Sequence, residues 1–221
     1  MTPSTTDFLK GVVNVLLGWI LGLGSATFTQ WRRDRKKALA TKRAIRRELR
    51  ETAHRLLSLV YILSQRHGMF DRALLEWMQP QIERYEGPNP KDGMLTGVKG
   101  LLSNTDAQLA QFAKAIQGTV PPQFVPFEDV PYTKVAIANL HEQDPEFTVR
   151  ALDVVSHLRM FNEARENGLH YSRLTFAPGL TAENHEKAMW NALQAEQTMT
   201  KRARIIIDKI TELEAVSGKD A

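Results

Sequence analysis

The sequence predicts an all-α protein, in which one N-terminal transmembrane helix continues into a basic helical stalk and a bundle of about five or six helices. Residues 11–29 form an uncharged, mostly apolar run, and apolar side chains then recur at helical spacing from Ile45 to Leu213. No segment alternates for long between apolar and polar residues, as strands do. The predicted parts are an extracytoplasmic tail (1–10), a transmembrane helix (11–30), a basic stalk (31–44), a cytoplasmic helical body (45–217) and a tail (218–221).

The apolar run is long enough to cross a membrane, because about 20 residues at 1.5 Å each span the roughly 30 Å hydrocarbon layer. A signal peptide is the first alternative, but the strong positive charge here follows the apolar core instead of preceding it. A buried core helix is the second alternative, and a helix apolar on every side would be unusual in a domain of this size.

Positive charge follows the apolar run immediately, with ten Lys and Arg against two acidic residues in 32–50. Basic residues stay on the cytoplasmic side, so we expect the N-terminus outside and the body in the cytoplasm, at the inner or plasma membrane. The side chains nearest the membrane are predicted to contact anionic headgroups. They are Arg32, Arg33, Arg35, Lys36 and Lys37.

The basic character of the chain is confined to its membrane-proximal part. Residues 31–67 hold twelve Lys and Arg against three acidic residues, a net charge of +9, whereas residues 68–221 hold 16 cations and 21 anions, a net charge of −5. Nucleic-acid binding calls for a basic patch on the folded domain, so this distribution argues against a nucleic-acid partner.

Small and polar residues form a stripe along the predicted transmembrane helix. Asn14, Gly18, Gly22 and Ala26 are spaced four residues apart, and Gly18 and Gly22 make a G-x-x-x-G pair. Small residues let two helices approach closely in lipid, and an Asn seeks a partner across the interface. The stripe therefore predicts a homo-oligomer, although Gly is also common in transmembrane helices generally.

The body is predicted to contain three long helices. The first runs from the membrane to about His67, the second begins at Asp144-Pro145-Glu146 and closes near Gly168, and the third runs from a Thr181 cap to Ser217. Shorter helices are expected near 70–79, 106–117 and 132–142. Residues 86–93 and 168–180 are expected to be connections.

Motifs of common enzymes are absent from the sequence, which contains no P-loop, no H-E-x-x-H and no G-x-S-x-G. The absence of Cys excludes disulfides, thiolate zinc sites and Cys nucleophiles. We therefore expect no cofactor and no metal. His170, Tyr171 and Arg173 fall in a predicted loop, where they could either build a ligand site or pack the loop down.

Arg150 and His157 have six residues between them in RALDVVSH. This spacing resembles the R-x4-6-H signature of the HEPN ribonucleases, small helical bundles that cleave RNA without metal across a dimer interface. The resemblance implies that Arg150 neutralises phosphate and His157 transfers protons. The same pair is equally explained as an Arg and a His beside the core, and Arg47 and His54 repeat the spacing.

The sequence is therefore compatible with three functions. The favoured one is a self-associating, single-pass membrane protein without enzymatic activity, acting as a scaffold, sensor or effector whose body binds a soluble protein or a small ligand. Its layout resembles that of bacterial antiphage effectors that multimerise and disturb the membrane. The alternatives are a membrane-tethered ribonuclease using Arg150 and His157 and a passive anchor for a soluble partner.

Overall fold

The computed structural model describes residues 5–118, 125–140 and 144–217, with the side chains of 5–18, 20–26 and 216–217 left outside the description. Seven α-helices and one 3₁₀ turn, and no strand, are found within these residues, which confirms the all-α prediction. The helices are α1 (Thr5–His67), α2 (Arg72–Glu83), α3 (Asp92–Leu102), α4 (Asp106–Ile116), α5 (Pro131–Ala136), α6 (Pro145–Leu174) and α7 (Ala182–Ser217), and Ile137–Asn139 forms the 3₁₀ turn.

The last part of α1 is a core helix, as its spacing predicts. Ile45, Leu49, Leu56 and Leu63 are completely buried. Thr52, the polar member of this seam, is also buried, and its hydroxyl donates to the Glu48 carbonyl at 3.0 Å. The hydroxyl is satisfied within its own helix, so the seam tolerates it without an unpaired polar atom.

The helices α6 and α7 pack antiparallel to each other, and α7 packs antiparallel to this part of α1. Gly168 lies against Ala195, while Asp153, earlier in α6, pairs with Lys209, later in α7. Arg50 of α1 likewise pairs with Glu214 of α7 at 2.8 Å, whereas Arg66, later in α1, pairs with Glu196, earlier in α7. The predicted α6 seam is buried throughout and faces this core. It comprises Phe147, Ala151, Val154, Leu158 and Phe161.

The end predicted for α6 at Gly168 is wrong, because the helix continues to Leu174. A Cβ atom at Gly168 would lie 3.3 Å from that of Ala195, so this glycine serves close helix packing instead of helix termination. The turn between the two helices instead contains Gly179, whose φ of 79° is the conformation that favours glycine. His170, Tyr171 and Arg173 consequently lie on a helix and not in a loop.

Two shorter helices also differ from the prediction. Helix α2 continues past Pro80 to Glu83. Met78 before the proline and Ile82 after it are both completely buried, so core packing stabilises the helix on both sides of Pro80. Helix α3 is absent from the prediction, since three glycines in its eleven residues lower its intrinsic helix propensity. Its Val98 is nevertheless completely buried, so tertiary packing stabilises the helix.

Helix starts follow the predicted capping residues. The Thr105 hydroxyl caps α4 in a capping box with Gln108, and the Asp144 carboxylate accepts a hydrogen bond from the Phe147 amide at 3.0 Å. The Thr181 hydroxyl accepts one from the Asn184 amide at 3.3 Å. The short helix predicted for 132–142 is observed as α5 with the 3₁₀ turn, and residues 141–143 lie outside the described part.

Two compact units divide the chain, Met1–Arg43 and Ala44–Ala221. Within the part of the chain that the structure describes, no helix is both long enough and apolar enough to cross a membrane. The side chains of Asn14, Gly18, Gly22 and Ala26, which form the predicted association stripe, lie outside that part.

Candidate functional site

The predicted headgroup contacts are all solvent-exposed side chains on α1, namely Arg32, Arg33, Arg35, Lys36 and Lys37. Two of them stack on aromatic rings of their own helix. The Arg32 guanidinium lies 5.6 Å from the Phe28 ring centroid, and that of Arg35 lies 5.5 Å from Trp31. Such cation–π pairs hold the cations along the helix surface while their charge stays open to solvent.

Arg150 and His157 both lie on α6, and each lies beside a carboxylate of that helix. The Arg150 guanidinium donates to Glu146 at 3.0 Å, and the His157 Nε2 lies 3.6 Å from an Asp153 carboxylate oxygen. Asp153 also pairs with Lys209. In a ribonuclease, Arg150 and His157 would face the phosphate of the substrate, whereas here they face Glu146 and Asp153. The catalytic interpretation stays a prediction.

Another candidate site is an open cavity of about 640 Å³, which we name the α6–α7 groove. It lies between the end of α1, the last part of α6 and the first part of α7, next to Gly118 and Val125. Its size is typical of sites for drug-sized ligands or for a few side chains of a partner. Most of its lining is apolar, and its charged members gather at one end.

The charged end of the groove is built around Glu196. The Arg66 guanidinium donates to one Glu196 oxygen at 2.5 Å, and the His67 Nε2 lies 2.7 Å from the other. Only 9% of the His67 side chain is exposed. The Nε2 and the facing oxygen do not reach hydrogen-bond geometry with each other or with any other described atom.

The end of α1 positions these groups. Gly68 follows His67 with a φ of 64°, a conformation that L side chains rarely adopt and that stops the helix. The Gly118 amide then donates to the Arg66 carbonyl at 2.9 Å, which ties the end of α4 to the end of α1. Two consecutive basic residues thereby face the same carboxylate on α7.

Arg165 adds a buried guanidinium to the groove lining. Its Nε donates to the Val125 carbonyl at 2.6 Å, it pairs with Glu166, and its guanidinium lies 6.0 Å from the Phe127 ring centroid. Arg165 thus fixes the segment that begins at Val125 against α6.

The other end of the groove exposes apolar and aromatic side chains. Phe176 is 86% exposed and Trp190 is 61% exposed, with Met189 and Leu193 beside Trp190 on α7. Large apolar groups left in solvent around a concave site are typical of an interaction surface. The groove therefore combines a partly buried charged end with an exposed apolar end, an arrangement that is suited to binding.

Sequence reasoning missed this groove, although the sequence contains one signal for it. Glu196 is a charged residue within the apolar seam of α7, and a carboxylate in that position requires a cation from a neighbouring helix. Which helix supplies the cation is a tertiary property. No local pattern indicates that Arg66 and His67, 130 and 129 residues away in sequence, are the partners.

A second polar cluster joins α1 to the end of α2. The Tyr85 hydroxyl and the Asn89 amide donate to the same Glu51 oxygen at 2.7 and 2.8 Å, and the Tyr85 ring stacks on His54 with centroids 3.8 Å apart. Burial lowers the pKa of His54 below its usual 6.5, although the Glu51 charge opposes this shift. Burial and the bond to Glu51 raise the pKa of Tyr85. The contacts of Tyr85 and Asn89 with α1 hold the segment after α2 against that helix.

Among the described residues, no group of three or more His, Asp and Glu side chains is arranged to hold a metal ion. Comparisons with protein-family models, with curated proteins and with solved structures find no match to this chain. The proposals below therefore depend on the chain's own geometry and sequence.

Proposed function

We propose that this chain is a single-pass, self-associating membrane protein whose cytoplasmic helical body acts by binding and not by catalysis. The observation that carries the binding role is the α6–α7 groove, which has exposed Trp190 and Phe176 at one end and the partly buried Arg66–Glu196 pair at the other. Side chains of this kind are enriched at protein interaction sites.

The membrane attachment is supported mainly by the sequence. An uncharged run at 11–29 is followed by ten cations in 32–50, the distribution that keeps the following domain in the cytoplasm. The five cations at 32–37 on α1 also support the attachment, because their exposed side chains are available to anionic headgroups. A scaffold, a sensor and a membrane-disturbing effector of the antiphage type all fit this layout.

The attachment is tested by fractionating cells that express the full chain. We expect the protein to sediment with membranes and to resist extraction at alkaline pH. Replacing Leu17 and Leu21 by Arg should release it, because each Arg in mid-span costs about 2.5–3.5 kcal/mol of insertion free energy. The matched control replaces the same two leucines by Ile. Extraction of the unmodified chain would refute the attachment.

The orientation has its own test, which exploits the absence of Cys from the chain. A single Cys introduced at Thr2 should react with a membrane-impermeant maleimide in intact cells. A Cys at Glu212, an exposed position on α7, should react only after lysis. The reverse pattern would invert the proposed topology.

The two alternative functions are a ribonuclease and a passive anchor. The ribonuclease has the weaker structural support, because Glu146 and Asp153 already pair with Arg150 and His157. The anchor differs from the favoured proposal in requiring no self-association, so the oligomeric state of the full chain in detergent separates the two.

A further inference from the structure

Residues 84–91, which we name the α2–α3 segment, are held to α1 chiefly through Tyr85. Tyr85 is the one buried residue between positions 84 and 91, with 4% of its area exposed. Its ring covers one face of His54, with centroids 3.8 Å apart and 8° between the ring planes. The rest of the segment buries little surface, so little packing would be lost if it left α1.

Hydrogen bonds complete the attachment of the α2–α3 segment. The Tyr85 hydroxyl donates to Glu51 at 2.7 Å, and the Asn89 backbone amide donates to the Tyr85 hydroxyl oxygen at 3.3 Å. The Gly87 backbone passes so close that a Cβ atom there would lie 2.1 Å from the Tyr85 hydroxyl and 2.4 Å from Glu51. The segment therefore depends on Tyr85 keeping its place between His54 and Glu51.

The His54 ring is buried in a way that suits only its neutral form. The residue is 6% exposed, and its Nδ1 is shielded from solvent without a hydrogen-bond partner among the described atoms. A protonated ring carries an N–H on both nitrogens, so protonation would create a buried donor without an acceptor. Burial accordingly lowers the pKa of His54, and the Lys91 charge acts in the same direction, against Glu51 and the Pro90 backbone.

The charged groups around His54 come from every element packed on it. They are Arg50 and Glu51 on α1, Arg84 at the end of α2, Lys91 in the segment and Glu214 on α7. Both carboxylates are already engaged, since Glu214 accepts from Arg50 at 2.8 Å and Glu51 accepts from Tyr85 and Asn89. Water is therefore the most accessible partner for a protonated Nδ1, and the ring reaches it once Tyr85 moves away.

From this arrangement we propose that His54 is an acid-sensitive switch that releases the α2–α3 segment from α1. A proton from solvent binds Nδ1, Tyr85 leaves the face of the ring, and Glu51 loses its bonds to Tyr85 and Asn89. The core seams of α1 and α7 stay packed. The inference depends neither on the membrane attachment nor on the binding role of the groove.

The direction and size of the response follow from linkage. With the segment released, His54 titrates near its usual 6.5, whereas the attached segment lowers its pKa. The released state therefore binds the proton more readily, and it becomes more populated as the pH falls below 6.5. Between pH 7.5 and pH 5 the opening constant should rise by at most about 30-fold.

Hydrogen exchange of the full chain in detergent, followed by mass spectrometry at pH 7.5 and pH 5, tests the proposal. Dividing each exchange rate by the intrinsic rate at the same pH gives the opening constant. We expect a several-fold rise in peptides covering 84–91, which include the Asn89 amide that donates to Tyr85. Peptides from the buried seams at 45–63 and 199–213 should change much less.

Two matched substitutions assign the response to one histidine. His54→Phe keeps a ring beneath Tyr85 but binds no proton, so the segment should open equally at both pH values. His170→Phe makes the same substitution at an exposed histidine of α6 and should leave the rise intact. Gly87→Ala should open the segment at pH 7.5 already, because its methyl group would collide with Tyr85 and Glu51.

Tyr85→Phe distinguishes His54 from Glu51 and serves where His54→Phe does not fold. It removes the bond to Glu51 and keeps the stacked ring, so opening should increase at both pH values while their ratio stays the same. A ratio that falls to one in Tyr85→Phe would mean that Glu51 takes up the proton, and this would overturn the inference.

Three further results would overturn it. One is an opening constant of the unmodified chain that is equal at both pH values. Another is an undiminished rise in His54→Phe, which would assign the response to a different group. The third is a rise of equal size in the peptides of the buried seams, which would indicate unfolding of the whole body instead of release of one segment.

Discussion

The Arg66 guanidinium donates a 2.5 Å hydrogen bond to the Glu196 carboxylate and so joins the end of α1 to α7. Both side chains are mostly buried, with 21% and 15% of their areas exposed. Replacing Glu196 by Ala should lower the free energy of unfolding by about 1–3 kcal/mol, because Arg66 and His67 lose their carboxylate.

Urea denaturation of the full chain in detergent, followed by circular dichroism, measures this loss. The matched control is Glu183→Ala on the same helix, which removes an exposed pair with Lys187 and should change stability by less than about 0.5 kcal/mol. Equal effects of the two substitutions would show that the Arg66–Glu196 pair contributes nothing beyond a surface pair.

Gly168 should tolerate no large side chain. A Cβ atom there already approaches Ala195 to 3.3 Å and the end of Met199 to 3.6 Å, so Gly168→Leu should destabilise the protein by about 1–3 kcal/mol through overpacking. Gly100→Ala on α3 is the contrasting substitution, because no atom lies within 4 Å of the position that its methyl group would take. It should stabilise the protein by about 0.5–1 kcal/mol in the same denaturation experiment. A neutral Gly168→Leu would contradict the close approach of α6 and α7.

Acidification should destabilise the protein through His54. Its pKa is lowered by burial, so the folded chain binds a proton there less readily than the unfolded chain, whose His54 titrates near 6.5. The difference is absent well above pH 6.5, and stability then falls as the pH decreases below it. His54→Phe keeps a ring to stack on Tyr85 and should flatten the decrease in melting temperature between pH 7.5 and about pH 5. An identical decrease in both proteins would mean that other groups dominate the pH dependence.

Gly18→Ile combined with Gly22→Ile should weaken self-association of the full chain in detergent. Bulky side chains would keep two helices from approaching along the predicted stripe. Leu16→Ile with Leu23→Ile is the control, because these residues are about 180–200° from Asn14 around the helix. Light scattering coupled to size-exclusion chromatography gives the mass of the assembly. A double Gly variant as large as the unmodified protein would show that the stripe is not needed for assembly.

The favoured function predicts no RNA cleavage by the purified full chain in the presence of a chelator. Activity that disappears in both Arg150→Ala and His157→Ala would instead support the ribonuclease alternative. Lys209→Ala provides the control, because it removes a neighbouring cation that pairs with Asp153 without changing either of the two residues.

Local rules predict much of the fold. Capping residues locate the starts of α4, α6 and α7, and helical spacing identifies the buried seam from Ile45 to Leu63. The rules fail where tertiary packing outweighs propensity. Gly168 has the properties of a helix stop but serves close packing, and the glycine-rich α3 is held by Val98.

The groove is beyond prediction for a different reason. It depends on the meeting of three segments that are distant in sequence, so no window of residues contains both Arg66 and Glu196. The exposure of apolar side chains such as Trp190 and Val149 is equally unpredictable from the sequence. An apolar residue beside a seam has the same sequence pattern as a residue of the core. The sequence thus indicates which residues form helices but not which sides of those helices stay uncovered.

Arg165 connects the groove to a second cavity of the helical body. It lines the groove, and its guanidinium contacts Phe127 and Glu166, which border a neighbouring cavity of about 740 Å³. The same guanidinium is therefore held from both cavities. We expect a displacement of Phe127 or Glu166 to be transmitted to the groove through this one side chain.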